Sequence, residues 1–227
     1  MTNISNGKKK TNKISSKKFL KPIATDIKGS ISYQKKQSWK GGTLLAPIPP
    51  ALVTVGTMEK PNVLTVAWTG ILNTIPPKTY ISVRKERYSY PMLLETKEFV
   101  INLPSANLVR AVDFCGVRSG KDLDKFKEMN LTPLPSPNIS TPLIAECPLQ
   151  LECKISDSVD LGTHTMFVAD IVGTVVAQEC INQDGKLEIE RCNLLAFAHG
   201  EYFTLGKKVG SFGYSVRKTN KKMQKRK

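Results

Sequence analysis

The chain has 227 residues, 40% of them hydrophobic, which is enough for one sizeable core and suggests a single folded domain. Its formal charge of +15 would suit nucleic-acid binding, but the excess sits at the two ends: residues 1–40 hold eleven Lys and one Asp, and residues 207–227 hold nine Lys or Arg and no acid. Residues 41–206 are left with fourteen basic and eighteen acidic side chains, a net −4, so a basic nucleic-acid-binding barrel is disfavoured.

The first forty residues are rich in Lys, Asn, Ser and Thr and poor in large apolar side chains as far as Phe19. Such a segment buries too little surface to offset its ordering entropy, so a disordered tail is expected, able to dock on nucleic acid, an anionic surface or an acidic redox partner. No apolar run approaches the roughly 18 residues of a membrane span, and Lys8, Lys9 and Lys10 precede only polar sequence, unlike a signal peptide. Five cysteines without a C-x-x-C pair point to reduced thiols and a cytoplasmic setting.

Short β-branched segments at residues 51–57, 62–69 and 78–84, separated by Gly, Pro and Asn, predict antiparallel strands of a barrel. In the second, period two puts Thr65, Ala67 and Thr69 on one face and Leu64, Val66 and Trp68 on the other. Pro76 and Pro77 fix the approach to the third strand, where Lys78, Tyr80, Ser82 and Arg84 share a face. A helix is expected over residues 90–97, with Ser89 as N-cap and Pro91 in its first turn. Arg84 and Arg87 beside that helix start suit a phosphate, and the small-residue strand beside it suits a planar heterocycle with a phosphorylated tail, flavin or pyridoxal in type. The competing reading is an ordinary hairpin with surface arginines.

Further along, a strand is expected at residues 99–103 and a helix at 107–114 that stops near Gly116. A second short helix at 123–129 would leave its first amides free for an anion, joined by Lys125, unless Lys125 is simply solvated. Two long strands follow at 146–158 and 166–176, the second so apolar that both its faces should be buried. The turn at 161–164 places His164 at a strand edge, either as a functional group or as a hydrogen-bonded turn residue. Asp184-Gly185 marks a turn, and His199 precedes Gly200.

Only two histidines occur, neither with a metal-ligand spacing, so no metal site is expected. G-x-S-x-G, the phosphate-loop motif G-x-x-x-x-G-K-[ST] and the dinucleotide fingerprint G-x-G-x-x-G are all missing from the sequence.

Eight words stand in order along the chain: NVLTVAWTG (62–70), ISVRKERYSY (81–90), EFVINLP (98–104), DFCGVRSGKDLDKF (113–126), PLIAECPLQLEC (142–153), LGTH (161–164), NLLAFAHGEY (193–202) and LGKKVGSFGYSV (205–216). Through them residues 43–213 resemble the flavin reductase-like family in its flavoredoxin-like branch, with the FMN-binding split β-barrel. The resemblance implies a mainly β fold, a split antiparallel barrel with short helices. It implies a flavin-binding domain over residues 41–213, with basic tails at 1–40 and 214–227. It implies FMN at the interface of a homodimer, with Thr65, Val66, Ala67, Trp68 and Thr69 against the ring. Ser82, Arg84, Tyr88, Ser89, Ser119 and Lys125 would hold ribityl and phosphate, Asn102 would be a further polar contact, and Cys115 a packing or ring-contact residue. His164 would stand near a stacked nicotinamide. The implied activity is NAD(P)H-dependent flavin reduction; the alternative is an electron carrier between proteins with no NAD(P)H turnover of its own.

Overall fold

The β-branched runs pair first with their neighbours in sequence. In the computed structural model, which describes residues 38–217, β1 (Ala51–Gly56) and β2 (Pro61–Val66) form an antiparallel hairpin. Its turn is closed by Lys60 N–H donating to Thr57 O at 3.2 Å. Gly56 sits at φ +83°, and a Cβ there would fall 2.4 Å from Lys60 O, so only glycine fits. Next come β3 (Thr69–Asn73), β4 (Lys78–Arg84), helix α1 (Ser89–Thr96) and β5 (Glu98–Leu103). They are followed by α2 (Val109–Val117), the one-turn α3 (Lys125–Glu128) and the two-residue strands β6 (Pro133–Leu134) and β7 (Leu143–Ile144). The long strands β8 (Leu149–Asp160) and β9 (His164–Val176) and the hairpin β10 (Leu195–Ala198) and β11 (Glu201–Thr204) complete the fold.

Seven strands make one antiparallel sheet in the order β2-β1-β5-β8-β9-β4-β3. Its two outermost strands, β2 and β3, are separated in the chain only by Ala67 and Trp68, so the sheet must curl until its ends meet. Ser82 N–H of β4 donates to Trp68 O at 2.9 Å, which carries the β3–β4 pairing back to the crossing itself. The result is the split barrel expected from sequence. Its interior holds Val53, Leu64, Val66, Ile81, Phe99 and Phe167, all almost fully buried. A second core lies where α2 and α3 cover β1 and β2, and contains Leu52, Val63, Val112, Cys115 and Phe126.

Several expectations need correction. The strand predicted over 62–69 is two strands, because the chain leaves the ladder at Ala67 and Trp68 to cross the barrel's seam. The strand predicted to be buried on both faces alternates: Thr165, Phe167 and Ala169 point inward, while the residues between them stay partly exposed. A barrel strand has one inner face, and the apolar residues on the outer face misled the count. Helix α1 starts at Ser89 rather than after it; Tyr88 takes the cap position without a side-chain cap bond. Gly116 lies inside α2, which runs on to Val117. All five cysteines are free and buried. The expected tails lie for the most part outside the described residues, and of them only 38–40 and the exposed 3-10 turn Tyr214–Val216 with its neighbours are described.

Candidate functional site

The site follows from the seam. Where β2 gives way to β3, Thr65, Val66, Ala67 and Trp68 line a cleft of about 410 Å³. Its other walls come from Ser82 and Arg84 of β4, from Gly116 and Val117 at the end of α2, and from Phe197 and Tyr202 of the β10–β11 hairpin. His164 is the first residue of β9 and stands opposite Arg84 in the ladder, which brings both into the same cleft. Its Nδ1 is 2.9 Å from Thr163 Oγ1. The Tyr202 hydroxyl donates to Asp113 Oδ1 at 3.2 Å, tying the hairpin to α2 across one edge. Burial and that carboxylate hold the phenol above its usual range.

A second hollow of about 310 Å³ adjoins the cleft, sharing Leu64, Arg84, Arg87 and Val117 with it. Tyr88, Ser89, Arg118, Ser119 and Lys125 line it as well. Three arginines and Lys125 thus border one space, against the single carboxylate of Glu86, which accepts from Arg84 Nη1 at 2.7 Å. The Ser89 Oγ accepts from Asn62 Nδ2 at 2.7 Å, which leaves the serine proton free to donate to a ligand. The combined cavity is therefore ring-sized and uncharged along residues 65–68, and cationic toward Arg84, Arg87 and Arg118. A planar ring carrying an anionic tail is the kind of ligand this division suits.

Lys125 is held differently from the expected phosphate contact. It is 4% exposed, and its Nζ donates to Val63 O and to Cys115 O, each at 2.9 Å. Arg87 Nη1 donates to the next carbonyl, Gly116 O, at 2.9 Å. Two cations thus occupy consecutive carbonyls in the last turn of α2, where the helix dipole is negative. Burial pulls the Lys125 ammonium down to about 8, a shift the nearby Cys115 opposes and Arg87 reinforces. The first amides of α3 are not free for an anion either, because Asp124 caps Phe126 N–H and Lys127 N–H with its own carboxylate.

Three expected contacts, Asn102, Cys115 and Thr69, line neither the cleft nor the cationic hollow. Asn102 is fully buried in β5, where Nδ2 donates to Leu52 O at 2.9 Å and Oδ1 accepts from Ile144 N–H at 2.9 Å. A polar residue at a strand end looks the same in sequence whether it serves a ligand or a neighbouring loop. Cys115 points into the second core, and burial pushes its thiol up to about 11, so it packs as a small apolar side chain rather than acting as a nucleophile. Thr69 faces the apolar hollow beside the cleft, where its hydroxyl donates to Tyr80 O at 2.6 Å. Arg118, Phe197 and Tyr202 also line the cavities, and of these only Arg118, three residues after Cys115, carries a charge that sequence could flag. Among the described residues, no group of three or more His, Cys, Asp or Glu is placed to hold a metal ion.

A split barrel whose seam opens on a ring-sized cleft with a cationic end defines a flavin-binding redox protein. The chain belongs to the flavin reductase like domain family, whose model matches residues 45–206. It is 32% identical over 160 residues to an uncharacterized protein of Archaeoglobus fulgidus, covering 70% of this chain and 89% of that one. Among solved structures it resembles the flavoredoxin of Desulfovibrio vulgaris (Miyazaki F), with a TM-score of 0.76 and 31% identity, covering 81% of this chain and all of that one. The flavoredoxin of Methanosarcina acetivorans is also similar, at a TM-score of 0.72 and 25% identity over the same shares.

Proposed function

We propose that the protein binds FMN and reduces it with NAD(P)H, as a flavin reductase of the split-barrel type. The observation that carries this reading is the joined cavity, uncharged along Thr65, Val66, Ala67 and Trp68 and lined by Arg84, Arg87, Arg118 and Lys125 at one end. A terminal phosphate monoester matches that cationic end better than the pyrophosphate and adenosine of FAD would. A bound flavin supplies the hydride chemistry, which asks little acid–base work of the protein. The residues then have simple tasks. Ser82 lies along the path from ring to phosphate, Arg84, Arg118, Ser89 and Ser119 bind the phosphate, and Arg87 and Lys125 hold the end of α2 in place behind it. His164 stands where it can orient a nicotinamide over the open side of the cleft.

Two measurements test the proposal together. The purified protein mixed with FMN should show a bound oxidised-flavin spectrum and oxidise NADH or NADPH with turnover. Flavin binding without turnover on either nucleotide would favour the second reading, an electron carrier between proteins, which the likeness to two flavoredoxins supports. We further propose a homodimer, supported by exposed apolar residues beside the cleft: Trp68 is 44%, Ile71 69% and Ile75 89% exposed. A cytoplasmic setting is supported by five cysteines that all remain free thiols. No helix among the described residues is long and apolar enough to cross a membrane.

A further inference from the structure

Beside the ring half of the cleft lies another chamber, of about 430 Å³, lined by Leu44, Leu45, Ile48, Trp68, Tyr80 and His199 among others. Ala67, Trp68 and Phe197 line both spaces, so the chamber adjoins the place where the flavin ring is proposed to lie. Its chemistry is unlike that of the phosphate end: no Lys, Arg, Asp or Glu contributes to its lining. A pyrophosphate or carboxylate would find no counter-charge there, which excludes the anionic part of a nicotinamide dinucleotide.

Within this apolar lining, three polar side chains stand without a hydrogen-bond partner among the described residues, the Thr43 hydroxyl, the Tyr80 hydroxyl and the His199 ring; the Thr69 hydroxyl is already committed to Tyr80 O at 2.6 Å. Tyr80 and His199 have positions fixed by the backbone. Tyr80 lies in the middle of β4, in register with Gly70 and Val168. His199 and Gly200 form the tight turn of the β10–β11 hairpin with φ of +51° and +86°, the type of turn whose two central residues both need positive φ. A β-carbon-bearing residue held there is uncommon, and this one presents its ring to the chamber.

We propose that this chamber binds a small, uncharged, planar quinone as the electron acceptor of the adjoining redox site, a proposal that rests on the flavin reading above. A quinone ring matches the aromatic and aliphatic lining, and its carbonyl oxygens can accept from Tyr80 and His199. The exchange would balance: the quinone takes up two electrons and two protons to become the hydroquinone, and a reduced flavin held in the adjoining cleft would be their source.

The test is isothermal titration of 2-methyl-1,4-naphthoquinone into the full-length chain loaded with FMN, with loading read separately from flavin absorbance. Wild-type protein should bind one quinone per chain. Leu45→Asp, which puts a charge into the chamber, should weaken quinone binding by about tenfold or more while FMN loading is unchanged. Tyr80→Phe and His199→Ala should each weaken it by about threefold to tenfold, the scale of one hydrogen bond. Leu94→Asp, on the exposed side of α1, should bind as wild type does. A protein that loads FMN but gives no binding heat overturns the chamber proposal alone, as does equal binding by wild type and Leu45→Asp. A protein that never loads FMN overturns the flavin reading and with it the role of acceptor.

Discussion

At the scale of single residues, charge placement governs the cationic end of the cavity. Arg84 is paired with exposed Glu86 yet lines both halves of the cavity. Arg84→Ala should weaken FMN by roughly 1.5–3 kcal/mol, the scale of a lost charge-assisted contact, and should leave riboflavin affinity nearly unchanged. Comparative binding of the two ligands by flavin fluorescence checks this, and equal losses would remove the arginine from the phosphate. Lys125 predicts a pH dependence. Its folded value near 8 lies below the ordinary 10.5, so between those limits the unfolded chain binds more protons and native stability gains from rising pH. The cost of burying the charge is fully present below about 8. Ligand binding runs the other way, because the positive charge behind the phosphate is lost through the same range. FMN affinity should therefore fall as pH rises through about 8 while riboflavin affinity stays level, and Lys125→Met should flatten the FMN profile. His164→Ala should lower NAD(P)H turnover and leave FMN affinity within about 0.5 kcal/mol; unchanged turnover at full flavin occupancy would reduce it to a turn residue.

The elements owe their positions to a few enforced contacts. β8 and β9 pair Glu152 with Gly173 and slip register directly after it, between Glu152 and Cys153, so that Val172 has no partner. Glu152 is fully buried and holds the preceding loop, accepting from Asn138 N–H at 2.9 Å and from Asn138 Nδ2 at 2.6 Å. A Cβ on Gly173 would lie 1.9 Å from Glu152 Oε2. Gly173→Ala should thus displace a buried carboxylate from its donors and cost about 3 kcal/mol, measurable by urea unfolding. A loss under about 1 kcal/mol would mean that the carboxylate can move without losing its donors.

For the whole molecule, the charge distribution and the apolar surface carry separate expectations. The folded part between the basic ends is slightly acidic, so the ends should not contribute to flavin binding. A chain of residues 41–213 should bind FMN within about twofold of the full chain; one that folds but does not bind flavin would refute this. The exposed apolar group at Trp68, Ile71 and Ile75 should be covered in a dimer. Sedimentation should show two chains for wild type and a shift toward one for Ile71→Asp, because a buried unpaired carboxylate outweighs the gain from one apolar contact.

How much of this was legible in the chain depends on the range of the interactions involved. The strand at residues 78–84, the facing of Ser82 and Arg84, the short helix after Arg87 and the Gly185 turn follow from local periodicity and turn chemistry, and appear in the structure. Eight ordered words were enough to identify the family, since they span most of the folded part. Local pattern could not say that β2 and β3 are separate strands lying at opposite ends of a curled sheet, because the break at Ala67 and Trp68 is imposed by barrel closure. Nor could it separate Asn102, which satisfies a neighbouring strand and loop, from Ser89, which lines the cationic hollow. The same limit applies to Lys125, whose ammonium is bound to the end of α2 and to β2 by carbonyls ten and sixty-two residues away. Composition and spacing determine which chemistry is available to this protein; only tertiary packing decides which donors and charges remain unpaired, because each buried polar group must first satisfy its nearest neighbours in space.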